Sequence, residues 1–374
     1  MSTVSNIRCD FCGSPEYDVV YTPIGSKRES LVCICKQCDL VFSTHSDIPY
    51  SREPNISGDA DWGNVRFCKG QRFDAIQDLL PINAIYVLDV GSSRGHFARW
   101  YQSQNPDARI TAIEPDTRVN DLPDTIDFYE GKLEDSFVSR VKDYFDLIYC
   151  CQTLEHVDSA SQILKIMYDI LRPGGKLFLE VPNIEVCNYP LNVEEFFIDK
   201  HNFHFSRKTL CNYMEKMGFE LEQVNGDNQN VRILAVKALP TNDAFALFPR
   251  VDVKALLKDY EKNIKENRGK LPALVRKVNR IMEGQSVAFW GANTLLDLMV
   301  KYGEFDPTKR GFCLVDSYIQ EGMEVHGVPI QDPEILRVYQ PDVCIVLARF
   351  SADEIVAQAR KFGIRNVIKF MDLL

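Results

Sequence analysis

Three groups of residues in this sequence have types and spacings that could do chemistry. The first is the run Val87-Leu88-Asp89-Val90-Gly91-Ser92-Ser93-Arg94-Gly95-His96-Phe97. An apolar, buried-type stretch ends near a carboxylate, passes through a turn of small residues and meets Gly95 where a helix opens. That is the strand–loop–helix junction at which an open α/β sheet holds a nucleotide-like ligand. A dinucleotide fingerprint reads G-x-G-x-x-G, but Ser93 replaces the second glycine and Gly95 comes one residue early. A loop of this spacing, with Asp89 in front, suits an adenosine carrying an amino acid better than one carrying a pyrophosphate. Glu114 ends the next apolar run, 23 residues after Gly91. That is close to the offset of roughly 20 at which a carboxylate accepts both ribose hydroxyls.

The second group is Cys9, Cys12, Cys35 and Cys38, two C-x2-C knuckles. Each knuckle can set two thiolates on one metal, and the two together complete a tetrahedral site. Structural zinc (Zn2+) is the expected occupant, with iron the alternative for the same ligands. Four thiolates close the site and leave no open position for catalysis. Cys33 fits a strand side chain better than a ligand. The third group is His201 and His204, in Asp199-Lys200-His201-Asn202-Phe203-His204. Imidazoles titrate near neutral pH and serve as base or acid with little tuning.

These residues need a scaffold, and the 374-residue chain is long enough for two to three domains. The spacing predicts strands over 85–90, 109–114, 126–129, 145–150 and 176–181, and helices over about 95–104 and 160–171. This alternation is that of a doubly wound parallel sheet. A helix over Phe67–Leu80 should precede it, after a polar loop from Pro49 to Gly63. A helix over Arg207–Met217 and a hairpin of Glu220–Val224 with Val231–Lys237 should close it. Residues 1–65 read as a zinc-ribbon module, 66–240 as the central domain and 241–374 as a helical bridge followed by a second α/β domain. In the bridge, Pro272 should separate a helix over Val251–Lys270 from another around Val275–Met282. Strands are then expected over Val287–Trp290, Gly311–Val315, Val343–Leu347 and Asn366–Lys369, with Gly291 and Asp316 placed either to contact a nucleotide or only to pack.

Net charge is −10, which argues against a nucleic-acid partner, since such binding needs basic surface. No apolar run approaches 18 residues, so no membrane span is expected. The N-terminus is polar and lacks a signal-peptide pattern. Twelve cysteines in such a chain imply reduced thiols or metal in a cytoplasmic setting.

The ordered set "VLDVGSSRGHF", "AIEPD", "FDLIYCCQTLEHV" and "LRPGGKLFLEVPN" resembles the class I methyltransferases that use S-adenosylmethionine. The C-terminal half, with "FWGANT", "LVDS", "HGVPIQDPEIL" and "PDVCIVLA", resembles the matching domain of zinc-binding sugar C-methyltransferases that act on nucleotide-linked keto sugars. The resemblance implies a Rossmann-like C-terminal domain and an S-adenosylmethionine site at Asp89, Gly91, Ser92, Gly95 and Glu114. Glu134 and Asp135 would flank the adenine on one side, and Cys151 and Gln152 on the other. It also implies a small-molecule acceptor, a nucleotide sugar or glycan precursor, and no membrane partner.

The acceptor atom must lose a proton, and His201 or His204 is the candidate base. His156 reads as a pocket-wall or structural residue. Sugar C-methyltransferases commonly carry Tyr-x-Glu-His at this point. This chain matches at His201 but has Ile198 and Lys200 at the other two positions, which leaves O-methylation open. Also open are another small metabolite or a macromolecular side group as acceptor, and a non-catalytic protein that only binds S-adenosylmethionine.

Overall fold

A computed structural model describes residues 7–44, 73, 76–93, 95–115, 122–133, 137, 141–226, 229–237, 251–292, 294–309, 311–317, 323–349 and 351–374. They divide into two compact units. The first lies within 7–44, 73–188 and 196–258, and the second within 189–195 and 259–374.

The first unit opens with the strands β1 (Tyr17–Tyr21), β2 (Leu31–Cys35) and β3 (Val41–Thr44). Its main sheet uses β4 (Tyr86–Val90), β5 (Arg109–Glu114), β6 (Ile126–Glu130), β7 (Phe145–Cys151) and β8 (Leu171–Pro182). After β9 (Phe203–His204), it is completed by β10 (Phe219–Gly226) and β11 (Asn230–Lys237). The strand order is β10-β11-β8-β7-β4-β5-β6. The strands from β8 to β6 run parallel, while β11 and β10 are antiparallel. The chain builds outward from β4 through β5 to β6, then returns to place β7 on the other side of β4. The C-terminal ends of β4 and β7 therefore flank a topological switch point, where open α/β sheets bind ligands.

The packing explains these elements. The last four residues of β4 and the first six of β7 are buried, as expected of strands covered on both faces. Helix α1 (His96–Gln104) buries Phe97, Ala98, Trp100 and Tyr101, and Phe97 stacks on Tyr149 of β7. Helix α2 (Ala160–Ile170) begins at Ser159, whose hydroxyl accepts from the Gln162 amide, the usual service of an N-cap serine. It buries Leu164, Met167 and Ile170 in a separate core that includes Ile148 and Cys150 of β7.

The cysteine-bearing strands form a separate four-stranded sheet, β1-β2-β3-β9. Its fourth strand comes from the far side of the main domain, where Phe203 pairs with Phe42 and His204 with Val41. Asp10, inside the first knuckle, accepts from Ser159 Oγ at 2.5 Å, the Ser161 amide at 2.9 Å and Tyr213 Oη at 3.0 Å. One carboxylate thereby joins the knuckle to the α2 N-terminus and to helix α3 (Arg207–Lys216).

In the second unit, β12 (Val287–Trp290), β13 (Cys313–Val315), β15 (Val328–Gln331), β16 (Val343–Val346) and β17 (Val367–Lys369) are mutually parallel, and β14 (Glu324–Val325) is an antiparallel edge. The order is β14-β15-β13-β12-β16-β17, a Rossmann-like arrangement. The short stretch Tyr189–Glu195 belongs to this unit. Asn267 Nδ2 donates to the carbonyls of Pro190 and Asn192, and Arg349 binds both Asn192 and Glu194.

Most expected elements are present, with instructive differences. Pro272 does not split the bridge, because one helix runs from Val253 to Ile281. Leu271, Leu274, Val275 and Val278 form a continuous buried stripe across the proline, and burying that stripe offsets one lost backbone hydrogen bond. Strand β8 starts at Leu171 rather than 176. The polar loop 49–63 and most of the helix expected over 67–80 lie outside the described residues. Only Phe73 and the end of that stretch are described, with a short 3-10 turn at Gln77–Leu79.

Candidate active site

The turn after β4 is held almost entirely by backbone groups. After β4 the chain passes through left-handed conformations at Gly91 (φ +72°), Ser93 (φ +48°) and Gly95 (φ +68°). The amides of Gly91 and Ser92 both donate to the Ile113 carbonyl, at 2.9 and 3.0 Å, so the turn is tied to β5. The Ser93 amide donates to Glu114 Oε2 at 2.9 Å. Glu114 thus stands where the sequence spacing put it, with one carboxylate oxygen already fixing the loop. A Cβ on Gly91 would collide with the Thr153 side chain, and one on Gly95 with Leu122.

Asp89 is 2 % exposed. Burial, reinforced by the nearby Glu114 charge, pushes its pKa up to about 8. Asp89 Oδ2 and Ser92 Oγ are buried without a hydrogen-bond partner among the described residues. Unspent polar atoms beside a glycine cradle with no room for Cβ atoms fit a polar, cationic ligand such as the amino-acid end of S-adenosylmethionine. Glu134 and Asp135 lie outside the described residues.

Across the switch point, β7 ends at Cys151, and Gln152 takes a left-handed φ of +52°. The Gln152 side-chain amide donates to Glu180 Oε1 at 3.2 Å and Asn230 Oδ1 at 3.0 Å. Arg232 Nε holds the other oxygen of buried Glu180 at 2.5 Å. Gln152 therefore belongs to a polar network reaching β8 and β11. Thr153 Oγ1 donates to the carbonyls of Val90 and Cys151, which presses its side chain against Gly91.

The histidine segment lies against the next residues of this loop. Asn202 donates its amide to the Glu155 carbonyl at 2.7 Å, and its side chain to the His156 and Val157 carbonyls at 3.2 and 3.0 Å. His156 Nδ1 sits 2.9 Å from the Lys200 carbonyl. The His156 and His201 rings meet edge to face, with centroids 4.8 Å apart. His201 Nδ1 is buried and makes no hydrogen bond among the described residues. Desolvation, then the charges of His156, His204 and Lys200, holds the His201 pKa well below its ordinary value. The ring is therefore neutral at physiological pH, with a lone pair available. His204 is buried at 2 % exposure, and its Nε2 bonds to Ser43 Oγ at 2.8 Å. The structure thus separates the two histidines, placing His201 at the loop and anchoring His204 to β3.

Sequence reasoning did not single out Thr153, Glu155, Glu180 or Ser43. Glu155-His156 was legible in principle, since a carboxylate beside an imidazole just past an apolar strand falls at the ligand-binding edge. Ser43 carried no signal, because it meets His204 across 161 positions of chain.

Cys9, Cys12, Cys35 and Cys38 place their sulfurs within 4.8 Å of one another. Cys9–Cys38 and Cys12–Cys35 are 3.4 and 3.5 Å apart. These separations are far longer than a disulfide of about 2 Å and near the roughly 3.8 Å expected between thiolates on tetrahedral zinc with about 2.3 Å bonds. Both knuckles turn tightly, with Gly13 N donating to the Cys9 carbonyl and Asp39 N to that of Cys35. The donor set fits a closed structural metal, and these four residues would hold it. Cys33 is outside the set, and burial pushes its thiol up to about 11. In the second unit, Asp316 Oδ2 accepts from the Ala292 amide at 2.9 Å, which uses that carboxylate in packing the turn after β12.

Comparison with known proteins agrees with this geometry. A family model described as a methyltransferase domain matches residues 65–224, and one described as a C-methyltransferase C-terminal domain matches residues 247–371. The chain is a class I S-adenosylmethionine-dependent methyltransferase. A ubiquinone biosynthesis O-methyltransferase of Xylella fastidiosa is 29% identical over 172 residues, which is 41% of this chain and 69% of that protein. A tRNA U34 carboxymethyltransferase of Desulforapulum autotrophicum is 25% identical over 207 residues, 48% of this chain and 61% of that protein. The crystal structure of an S-adenosylmethionine dependent methyltransferase from Mesorhizobium loti aligns at 17% identity with a TM-score of 0.37, over 44% of this chain and 97% of that one. No helix among the described residues of this methyltransferase is long and apolar enough to cross a membrane.

Three outcomes follow from this geometry. Gly91→Ala places a Cβ at positive φ against Thr153 and should weaken S-adenosylmethionine binding about tenfold by calorimetry. Gly174→Ala, also at positive φ but facing open space, should not. Equal effects of the two would put the donor elsewhere.

The second concerns Asp89. Its folded pKa is raised from 3.8 to about 8, so the folded state binds the extra proton and loses stability as pH rises through that window. Asp89→Asn should therefore gain on the wild type in ligand-free urea unfolding as pH goes from about 5.5 to 8. A pH-independent difference would show that Asp89 carries no such strain.

The third concerns the cysteines. Elemental analysis should give about one metal per chain, lost in Cys35→Ser. A metal-free protein whose four thiols alkylate freely would refute the site.

Proposed function

We propose that this methyltransferase acts on a small-molecule acceptor, a nucleotide-linked sugar or related glycan precursor. The observation that carries the proposal is the match of the C-terminal half to a C-methyltransferase C-terminal domain. S-adenosylmethionine, when bound, supplies a methyl already activated on a sulfonium. The protein then has to align donor and acceptor and exclude water. Gly91 and Ser92 lie along the amino-acid portion, with Asp89 behind them near its amino group. Glu114 takes the ribose hydroxyls. Cys151 and Gln152 flank the adenine.

On the acceptor side, His201 removes the proton. It is neutral and close to the end of β7, and its lone pair is unspent. His204, held by Ser43, positions the segment. Zinc on Cys9, Cys12, Cys35 and Cys38 is structural, since it fixes the strands that receive β9. None of the eleven described cysteines is joined in a disulfide, which suits a reducing cytoplasmic setting.

A second reading is O-methylation of another small metabolite. It is favoured by Ile198 and Lys200, which break the Tyr-x-Glu-His pattern, and by relatives named as ubiquinone biosynthesis O-methyltransferases.

A mass-spectrometric screen should find one added methyl on a sugar nucleotide. Methylation of a phenolic quinone precursor alone would favour the second reading. His201→Ala should lower turnover by about 100-fold or more, with donor affinity unchanged. Near-normal turnover would remove His201 from the reaction.

A further inference from the structure

We propose that Glu155, His156 and His201 form a divalent-cation site beside the donor loop, separate from the four-cysteine site. Each offers one ligand atom, and the three atoms lie within 4.8 Å of one another. Two imidazoles and a carboxylate form a facial set that suits first-row divalent cations and leaves positions open for other ligands.

Three features show that the set is built for ligation. His156 Nδ1 lies 2.9 Å from the Lys200 carbonyl. A carbonyl oxygen cannot donate, so Nδ1 carries the proton and Nε2 keeps a bare lone pair. This is the arrangement by which metal-bound histidines are oriented, the second ring nitrogen donating to a backbone carbonyl. That bare Nε2 faces Glu155 Oε1 at 3.7 Å. Donors neighbouring one another on a cation sit about 3 Å apart when metal bonds are about 2.1 Å. Closing the set takes side-chain movement toward the ion, from separations of up to 4.8 Å.

The Glu155 side chain is 1 % exposed and that of His156 is 38 % exposed, so the site has a buried anionic floor and an opening to solvent. The ligands come from two loops already cross-bonded through Asn202, whose amide and side chain bind the carbonyls of Glu155, His156 and Val157. The site is therefore largely pre-organised. The Lys200 charge, which bears on His156 and His201, opposes a cation there, and the Glu155 carboxylate at the floor of the site offsets it.

The chemical use of the site rests on the acceptor placement proposed above. A cation on these residues, two positions from Thr153 and its contact with Gly91, would bind an oxygen-bearing acceptor through a hydroxyl or carbonyl and lower the cost of its negative charge. Cation binding takes up the one lone pair of neutral His201, so in the loaded site the cation lowers the acceptor's pKa and the proton leaves to solvent, in place of the base role that His201 has without the cation.

The test uses the full-length protein with its cysteine metal in place, Mn2+ alone as probe, and electron paramagnetic resonance as readout. The wild type should take up one Mn2+, and Glu155→Gln and His156→Ala should each weaken that binding by more than about tenfold. His156→Ala alters an exposed side chain, and circular dichroism and an unchanged cysteine-metal content would show that both variants fold. Failure of the wild type to bind Mn2+, or equal affinity in all three proteins, overturns the site. Calorimetry with S-adenosylmethionine, run in parallel, tests the donor reading separately. Mn2+ uptake lost in both variants upholds the cation site even where the acceptor screen finds no methylated sugar nucleotide.

Discussion

Phe203 and His204 pair antiparallel with Phe42 and Val41, and this short ladder decides where the histidine segment runs. Asp199 repeats the anchorage at the other end, accepting from Ser26 Oγ, the Lys27 amide and Ser30 Oγ. His201 lies between the two fixed points. Backbone pairs of this kind cost little to keep and much to leave unmade when buried. The cysteine module is therefore part of the methyltransferase domain's framework, and a metal on its knuckles would act by holding the strands that receive β9.

The donor and acceptor ends use different physics. At the donor end, amides of Gly91, Ser92 and Ser93 are spent on Ile113 and Glu114, and rigidity comes from the loop being bonded to β5. Asp89 is a buried acid whose charge is disfavoured by burial and by the nearby Glu114. At the loop after β7, side chains gather: Glu155, His156 and His201 converge, and the Gln152–Glu180–Arg232 network braces the adjoining β7–β8–β11 edge.

Much of the first half was legible in order along the chain. Apolar runs ending in Asp89, Glu114 and Cys151 are strands because both faces are covered, and the small-residue turn after β4 follows from the space that Thr153 and Leu122 deny a Cβ. Paired C-x2-C knuckles identify their own metal site because each turn is local. Pro272 misled because local propensity argues for a break, while the buried stripe from Leu271 to Val278 outweighs it.

By itself the sequence determined the parallel α/β class, the glycine turn after β4, the place of Glu114 at the end of β5 and the gathering of the four cysteines, since each depends on residues within a strand or turn of one another or on a regular strand-to-strand offset. Only the tertiary structure decided that β9 joins the cysteine sheet, that Asp10 caps α2 and meets Tyr213, that His204 is tied to Ser43 while His201 is not, and that Glu155 and His156 stand against His201. Those contacts join segments from about 45 to 200 positions apart, brought together by backbone pairing and burial. No local pattern of residue types encodes such a meeting; it exists only once the sheets have formed.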